Sequence, residues 1–179
     1  ERYPTPGAAG TQARLDLARF LSERQRFDEA STVFHEAMTF GEADADALHE
    51  AKMGYAVFLT QRWVRAILAG TKETAQPLLV EAEQVLKESL ANKPDAFEPY
   101  LQTAILYKTA QRHEDVVNIC EQRIRKGMSR KGVEATQNRI AMFTLMIYAS
   151  ESCVALGIKA GDAGDNAARE SWLTKADQY

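Results

Sequence analysis

Leu17-Ala18-Arg19-Phe20-Leu21 leads, three residues on, into Gln25-Arg26-Phe27-Asp28-Glu29-Ala30, and this stretch decides the fold because the chain repeats it. Shifted by 86 residues, Thr103-Ala104-Ile105-Leu106-Tyr107 leads into Gln111-Arg112-His113-Glu114-Asp115-Val116. Each stretch runs on to a glycine, Gly41 and Gly127. Apolar residues recur three and four positions apart on both sides of the Gln-Arg pair, so each copy reads as two helices joined by a short turn. A second echo is shorter: Leu79-Val80-Glu81-Ala82-Glu83-Gln84 resembles Leu173-Thr174-Lys175-Ala176-Asp177-Gln178, each after an Ala-Gly pair (Ala69-Gly70 and Ala160-Gly161). A compact helical hairpin thus alternates with one whose first helix is longer. Self-similarity at a fixed period is the signature of stacked helical units, each burying its apolar face against its neighbours.

Working outward, the pattern predicts helices near 11–23, 27–40, 44–69, 74–91, 96–109, 113–125, 133–157 and 165–179. Residues 1–10, with Pro4, Pro6, Gly7 and Gly10, read as a flexible lead-in. Pro94 stops the fourth helix, since proline lacks the N–H and clashes with the preceding turn. Asp95 is placed to cap the next helix, with Glu98 completing a capping box and Pro99 tolerated in the first turn. Gly41 and Gly127 read as left-handed helix stops. Aligning Ala176 with Ala82 puts Tyr179 in mid-helix, so the last hairpin reads as incomplete and the parent protein as continuing. A start at Glu1 without methionine points to a processed or partial chain, from which a signal peptide or anchor has been removed or not.

Composition narrows the function. With 45% hydrophobic and 26% charged residues in 179, the chain has the make-up of an ordinary globular protein with room for a continuous core. A net charge of -3 argues against nucleic acid, whose binders carry a basic excess. One basic cluster stands out: Arg123, Arg125, Lys126, Arg130 and Lys131 around Gly127. It reads either as cations complementing a helix C-terminus or as a patch for an acidic partner. Cys120 and Cys153 match no metal spacing and sit in apolar helical runs, as small hydrophobes do, which leaves the compartment open and tilts slightly toward a reducing, cytoplasmic one. No stretch offers the ~18 uninterrupted apolar residues of a membrane span, so no direct membrane insertion is expected.

The first hairpin resembles a tetratricopeptide repeat, with the pattern W-x2-L-G-x2-Y, then A-x3-F, then P. Leu17, Ala18 and Leu21 hold the L-G-Y places, and Ala30 and Phe34 the A-x3-F places, while Arg14 stands where Trp would be. The third hairpin fits at Tyr100, Ala104, Tyr107, Val116 and Cys120, and the second at Ala82, Leu86 and Pro94. The resemblance implies a right-handed all-α solenoid in one domain over 11–179, with hairpins near 11–41, 43–94, 95–127 and 130–179. It also implies a protein or peptide partner docked in a concave groove lined by the first helix of each hairpin. Carried over by residue, the lining is Leu15, Arg19 and Ser22, then Ala51, Tyr55, Phe58 and Arg62, then Leu101, Ile105 and Lys108. The family's carboxylate clamp, built from Lys and Asn, is missing: Leu15, Arg19, Leu101 and Ile105 stand in its places.

The third helix is apolar nearly all round, from Tyr55 through Trp63, Val64, Ile67 and Leu68. Either its extension packs on the helix Leu78 to Leu90, or a Trp63/Ile67 patch serves dimerisation or partner docking. His35, His49 and His113 are scattered without the i, i+4 spacing of a helical metal site. Gly161-Asp162-Ala163-Gly164-Asp165-Asn166 lacks the order of a calcium loop, and Asp165 reads as an N-cap. No catalytic, cofactor or metal residue emerges. The chain therefore reads as a non-catalytic interaction scaffold. A regulatory or substrate-recruiting module of a larger enzyme or secretion or assembly factor is the alternative, and a small-molecule sensor with an apolar cavity near Tyr55, Phe58 and Ile105 is a third.

Overall fold

The computed structural model describes residues 8–127 and 134–179. Among them are α1 (Ala8–Glu23), α2 (Phe27–Gly41), α3 (Ala45–Leu68), α4 (Lys72–Asn92), α5 (Phe97–Thr109), α6 (His113–Arg125), α7 (Glu134–Asp162) and α8 (Asn166–Ala176), with no strand. The protein is all-α. The chain divides into two compact units, Glu1–Pro94 and Asp95–Tyr179. Each has the same internal plan: the first two helices pair, the third lies against both, and the fourth packs along the third.

The duplicated turns explain why. Gln25 and Gln111 both adopt the left-handed conformation, with φ of 60° and 57°. Around them the same hydrogen bonds close the helix end: Arg26 N–H donates to the Leu21 carbonyl at 2.9 Å, and Arg112 N–H to the Tyr107 carbonyl at 2.9 Å. The second kind of turn is duplicated too, with Gly70 at φ 75° and Gly164 at φ 78°. A backbone that must turn left-handed at these points is the local origin of both hairpins.

Several sequence expectations need correction. α1 begins at Ala8, so Ala8, Ala9 and Gly10 belong to a helix, while residues 1–7 lie outside the described residues. Asp95 does not cap α5; Ala96 is the N-cap and no side chain caps the helix. The Asp95 carbonyl instead accepts from Arg123, whose guanidinium sits 3.5 Å over the Phe97 ring and also donates to the Gly127 carbonyl. Gly41 is the last residue of α2 rather than a left-handed stop. It is needed for close approach, because a Cβ there would lie 2.8 Å from the Leu48 backbone. α8 is assigned over Asn166–Ala176, and at its end the Asp177 N–H closes on the Leu173 and Lys175 carbonyls. Asp165 caps α8 as expected, accepting from the Ala168 N–H, and Gly127 is left-handed as expected.

The core of the first unit joins Leu15, Ala18, Ala30, Phe34, Ala51, Tyr55, Phe58 and Leu59. α4 closes it along the whole of α3. Ser89 Oγ lies 3.0 Å from His49 Nδ1 and donates to Met53 Sδ at 3.4 Å; Lys52 reaches Glu88 at 3.0 Å, and Lys93 pairs with Asp46. In the second unit Val117, Cys153, Leu156 and Ala176 cluster beneath Trp172 and Tyr179.

Gly41→Ala normally gains helix propensity, but the Leu48 backbone cannot yield cheaply. The substitution is expected to destabilise the first unit by about 1–3 kcal/mol in urea denaturation. The contrasting change Gln25→Gly relieves a left-handed side chain and is expected to stabilise by up to about 1 kcal/mol. Burial first, and then the charge of Lys93, hold the His49 imidazole below its ordinary pKa, with Asp46 opposing. The unfolded chain therefore takes a proton that the folded one resists, so stability is full above the ordinary histidine value of about 6.5 and falls as pH drops below it. Thermal melts between pH 7.5 and 5.5 should show this decline, and His49→Gln should flatten it.

Candidate functional site

The groove residues assigned from sequence divide into two kinds. Leu15, Ala51, Tyr55 and Phe58 are interior, none more than 3% exposed, and cannot receive a partner. The physical reason is the aromatic stack between α2 and α3: Phe34 lies 5.6 Å from Tyr55 and 5.0 Å from Phe58, ring centre to ring centre. Only the Tyr55 hydroxyl reaches the unit's edge, where it meets Ser31 Oγ at 3.2 Å, His35 Nε2 at 3.1 Å and donates to Glu81. Burial, helped by Glu81, pushes this phenol up to about 12, so it stays neutral. Arg62 lies over the rings of Phe27 and Phe58, at 5.3 and 5.6 Å, as a lid on the same stack. Arg19 is exposed and pairs with Asp16 at 3.3 Å, and Ser22 is half-buried.

Trp63 is also buried, so the Trp63/Ile67 patch does not exist as such, though Ile67 and Leu68 are exposed. The basic cluster is engaged within the chain. Arg123 is buried as described, Arg125 pairs with Glu121 at 2.8 Å and Lys126 approaches Asp95 at 4.0 Å. Arg130 and Lys131 lie outside the described residues.

The second unit offers an accessible surface. Leu101, Ile105 and Lys108 follow one row of α5 and are half-buried. The Lys108 ammonium pairs with Glu151 of α7 and lies 4.3 Å over the Tyr148 ring. Beside this pair α7 exposes an apolar stripe: Ile140 (64%), Phe143 (63%), Ile147 (54%), Val154 and Ile158. Its opposite face buries Met142, Leu145, Ala149, Ser152, Cys153 and Leu156. A helix that is apolar on both faces but covered on one leaves an unusual surface, since exposed apolar patches in globular proteins mark interaction sites. Sequence reasoning missed the stripe. Its signal was there in the spacing of Ile140, Phe143, Ile147, Val154 and Ile158 along one side of the seventh helix.

By length and composition one helix among the described residues, Asn138–Asp162 with a mean hydropathy of 1.5, could cross a membrane. The sequence expectation of no membrane insertion rested on a different criterion, uninterrupted apolar runs, and 39% of this helix's apolar window is buried within the chain. Among the described residues no three His, Cys, Asp or Glu side chains gather as a metal would require. Both cysteines are buried free thiols, and burial pushes Cys120 up to about 12, which leaves it a poor nucleophile at neutral pH. Two open clefts flank the helix pairs. One, about 560 Å³, lies at the start of α6 beside Ala155, Leu156 and Lys159; the other, about 430 Å³, lies on α1 and α2 beside Leu17, Phe20 and Val33. No family model, curated protein or solved structure matches this chain.

Tyr55→Phe removes only the hydroxyl, and its three partners stand where water can replace it. It is expected to cost about 1 kcal/mol in urea denaturation, against about 3–5 kcal/mol for the cavity left by Tyr55→Ala.

Proposed function

We propose that the chain is a protein-interaction scaffold of the tetratricopeptide-repeat kind, a right-handed helical array that docks a segment of another protein. The uncovered apolar stripe of α7, edged by the Lys108–Glu151 pair, carries this reading. Leu101, Ile105 and Lys108 would form the second wall of the docking surface, as the family resemblance implies for first helices. Catalysis is disfavoured because the polar groups with the chemistry for it are used in packing: the Tyr55 phenol is neutral and the thiols are buried. The negative net charge supports a protein partner over nucleic acid.

The energetics fit docking. Full burial of an isoleucine or phenylalanine side chain yields about 1.5–3 kcal/mol, so two or three stripe residues contribute roughly 3–9 kcal/mol before the cost of association. The Lys108–Glu151 pair at the rim adds orientation more than affinity.

Because the stripe is already in water, acidic substitutions there leave the fold intact. Affinity capture with the wild-type chain and with the Phe143→Glu/Ile147→Glu variant should differ for any partner that docks here, its recovery falling at least about tenfold. If every partner were retained equally by a variant with wild-type melting temperature, docking on this stripe would be excluded.

A further inference from the structure

The turn between the first two helices is built twice, and the two copies differ at one corner. In each, the arginine before the second helix grips an acid one turn on. Arg26 Nε and Nη2 donate to Glu29 at 2.6 and 2.5 Å, and Arg112 Nε donates to Asp115 at 2.7 Å. The next residue is Phe27 in the first unit and His113 in the second. What stands beside it comes from the long third helix. The left-handed glycines Gly70 and Gly164 set an offset of 94 residues between α3 and α7. At that offset the interiors agree: Ala51, Tyr55 and Leu59 are buried, and so are Leu145, Ala149 and Cys153. The second unit places Leu156 and Lys159 at the cleft with His113. At the same positions the first unit places Arg62 and Arg65, each with its guanidinium 5.3 Å from the centre of the Phe27 ring. A unit of the same plan folds without this pair, so the architecture does not require two cations here.

Like charges one helical turn apart repel. The chain has the acids to offset them, 25 Asp and Glu against 22 Lys and Arg, yet neither arginine is neutralised. Arg62 comes no nearer a carboxylate than 4.0 Å, to an Asp28 side chain that stands fully in solvent, and such a pair is weak. Arg65 is exposed and meets the Phe27 ring, with no carboxylate in ion-pair reach among the described residues. Glu29, the other acid of the corner, is held by Arg26. The helix dipole accounts for Arg65, in the last turn of α3, but not for Arg62 a turn earlier. The Phe27 ring, with Phe58 at 5.6 Å from Arg62, holds the two guanidiniums in place without using their N–H donors.

We infer that the Phe27, Arg62 and Arg65 corner receives a phosphoryl group carried on a serine or threonine of a partner protein. A phosphomonoester brings a charge of about −1.5 to −2 and three acceptor oxygens at neutral pH, enough to engage two guanidinium forks together. A carboxylate offers two oxygens and one charge, which a single arginine satisfies, as Arg26 does for Glu29. Leu68 argues for a phosphorylated segment over a free phosphate, because it lies one turn beyond Arg65 and is 82% exposed. Side chains three apart on a helix stand about 5–6 Å apart, a span that an extended segment covers in two residues. The segment therefore carries an apolar residue two places from the phosphorylated one. This site belongs to the first unit and shares no residue with the stripe of α7, so it stands or falls separately from docking there.

The probe is a fluorescein-labelled peptide, Gly-Leu-Gly-phosphoserine-Gly-Leu-Gly, titrated with the intact chain by fluorescence anisotropy at low salt. It should bind at least about tenfold more tightly than the same peptide with serine or with glutamate at the central place. Arg65→Gln changes an exposed residue, so it should keep the wild-type melting temperature while weakening binding at least about tenfold. Arg65→Lys keeps the charge and loses the fork, and should weaken binding at least about threefold. Absence of binding, equal binding of the serine or glutamate peptide, or affinity unchanged by Arg65→Gln would overturn the inference. Competition with inorganic phosphate separates the two sources of the anion. Displacement only well above the peptide's own Kd is expected. Displacement at that Kd would mark a site for the free anion and overturn the phosphorylated partner.

Discussion

The packing of the fourth helix of each unit along the third is the contact on which the rest of this structure depends. In the first unit that contact is complete, and it converts a helix apolar nearly all round into a core helix. Ser89 places a small polar group between His49 and Met53, and its hydroxyl meets the buried imidazole nitrogen. In the second unit the same contact is short but close. Gly157 and Gly161 let α8 approach until an added Cβ would lie 3.1 Å from the Leu173 side chain and 3.0 Å from that of Arg169. The close approach anchors α8 against the C-terminal half of α7 alone. At 29 residues α7 is roughly 43 Å long, so the other half must be stabilised from one side by α5 and α6.

The fold was legible where its causes are local. The Gln-Arg pairs and the Ala69-Gly70 pair mark turns because a left-handed residue ends a helix whatever surrounds it, and helix limits read from them fall close to those observed. The failures came where a distant residue intervenes. Asp95 has the chemistry of a cap, but its carbonyl is claimed by Arg123, whose guanidinium is held by the Phe97 ring. Gly157 and Gly161 look like helix breakers near the end of the seventh segment, yet α7 continues to Asp162 because α8 packs on those positions. Gly41 looks like a stop and is a contact.

The site was less legible for a related reason. Periodicity shows which faces of a helix are apolar and not which of them another helix covers. Tyr55 and Phe58 sit on an apolar face that α2 and α4 close, so residues assigned to a groove became the core. Ile140, Phe143 and Ile147 sit on an equally apolar face that stays open. Sequence alone ranks the two alike. What separates them is which neighbours among the described residues pack on each face: α4 lies along the whole of α3, whereas α8 lies on the C-terminal half of α7.

That distinction also bears on what can cover α7. Its length and mean hydropathy would suit a bilayer, but hydropathy averages over faces that have different neighbours. One face is already packed against α5, α6 and α8. The open face carries Glu151, and a carboxylate near the middle of a bilayer costs about 2.5–3.5 kcal/mol even before its cationic partner is included. Lys108 holds that carboxylate beside the Tyr148 ring, at the boundary between the apolar stripe and α5. A lipid environment would have to desolvate both charges. A protein surface lying on Ile140, Phe143 and Ile147 would bury the apolar side chains and leave the pair at its rim in water, where such pairs cost little and fix orientation. The arrangement of charge around the stripe therefore suits the proposed protein surface better than a bilayer, even though the hydrophobic content of α7 would satisfy both.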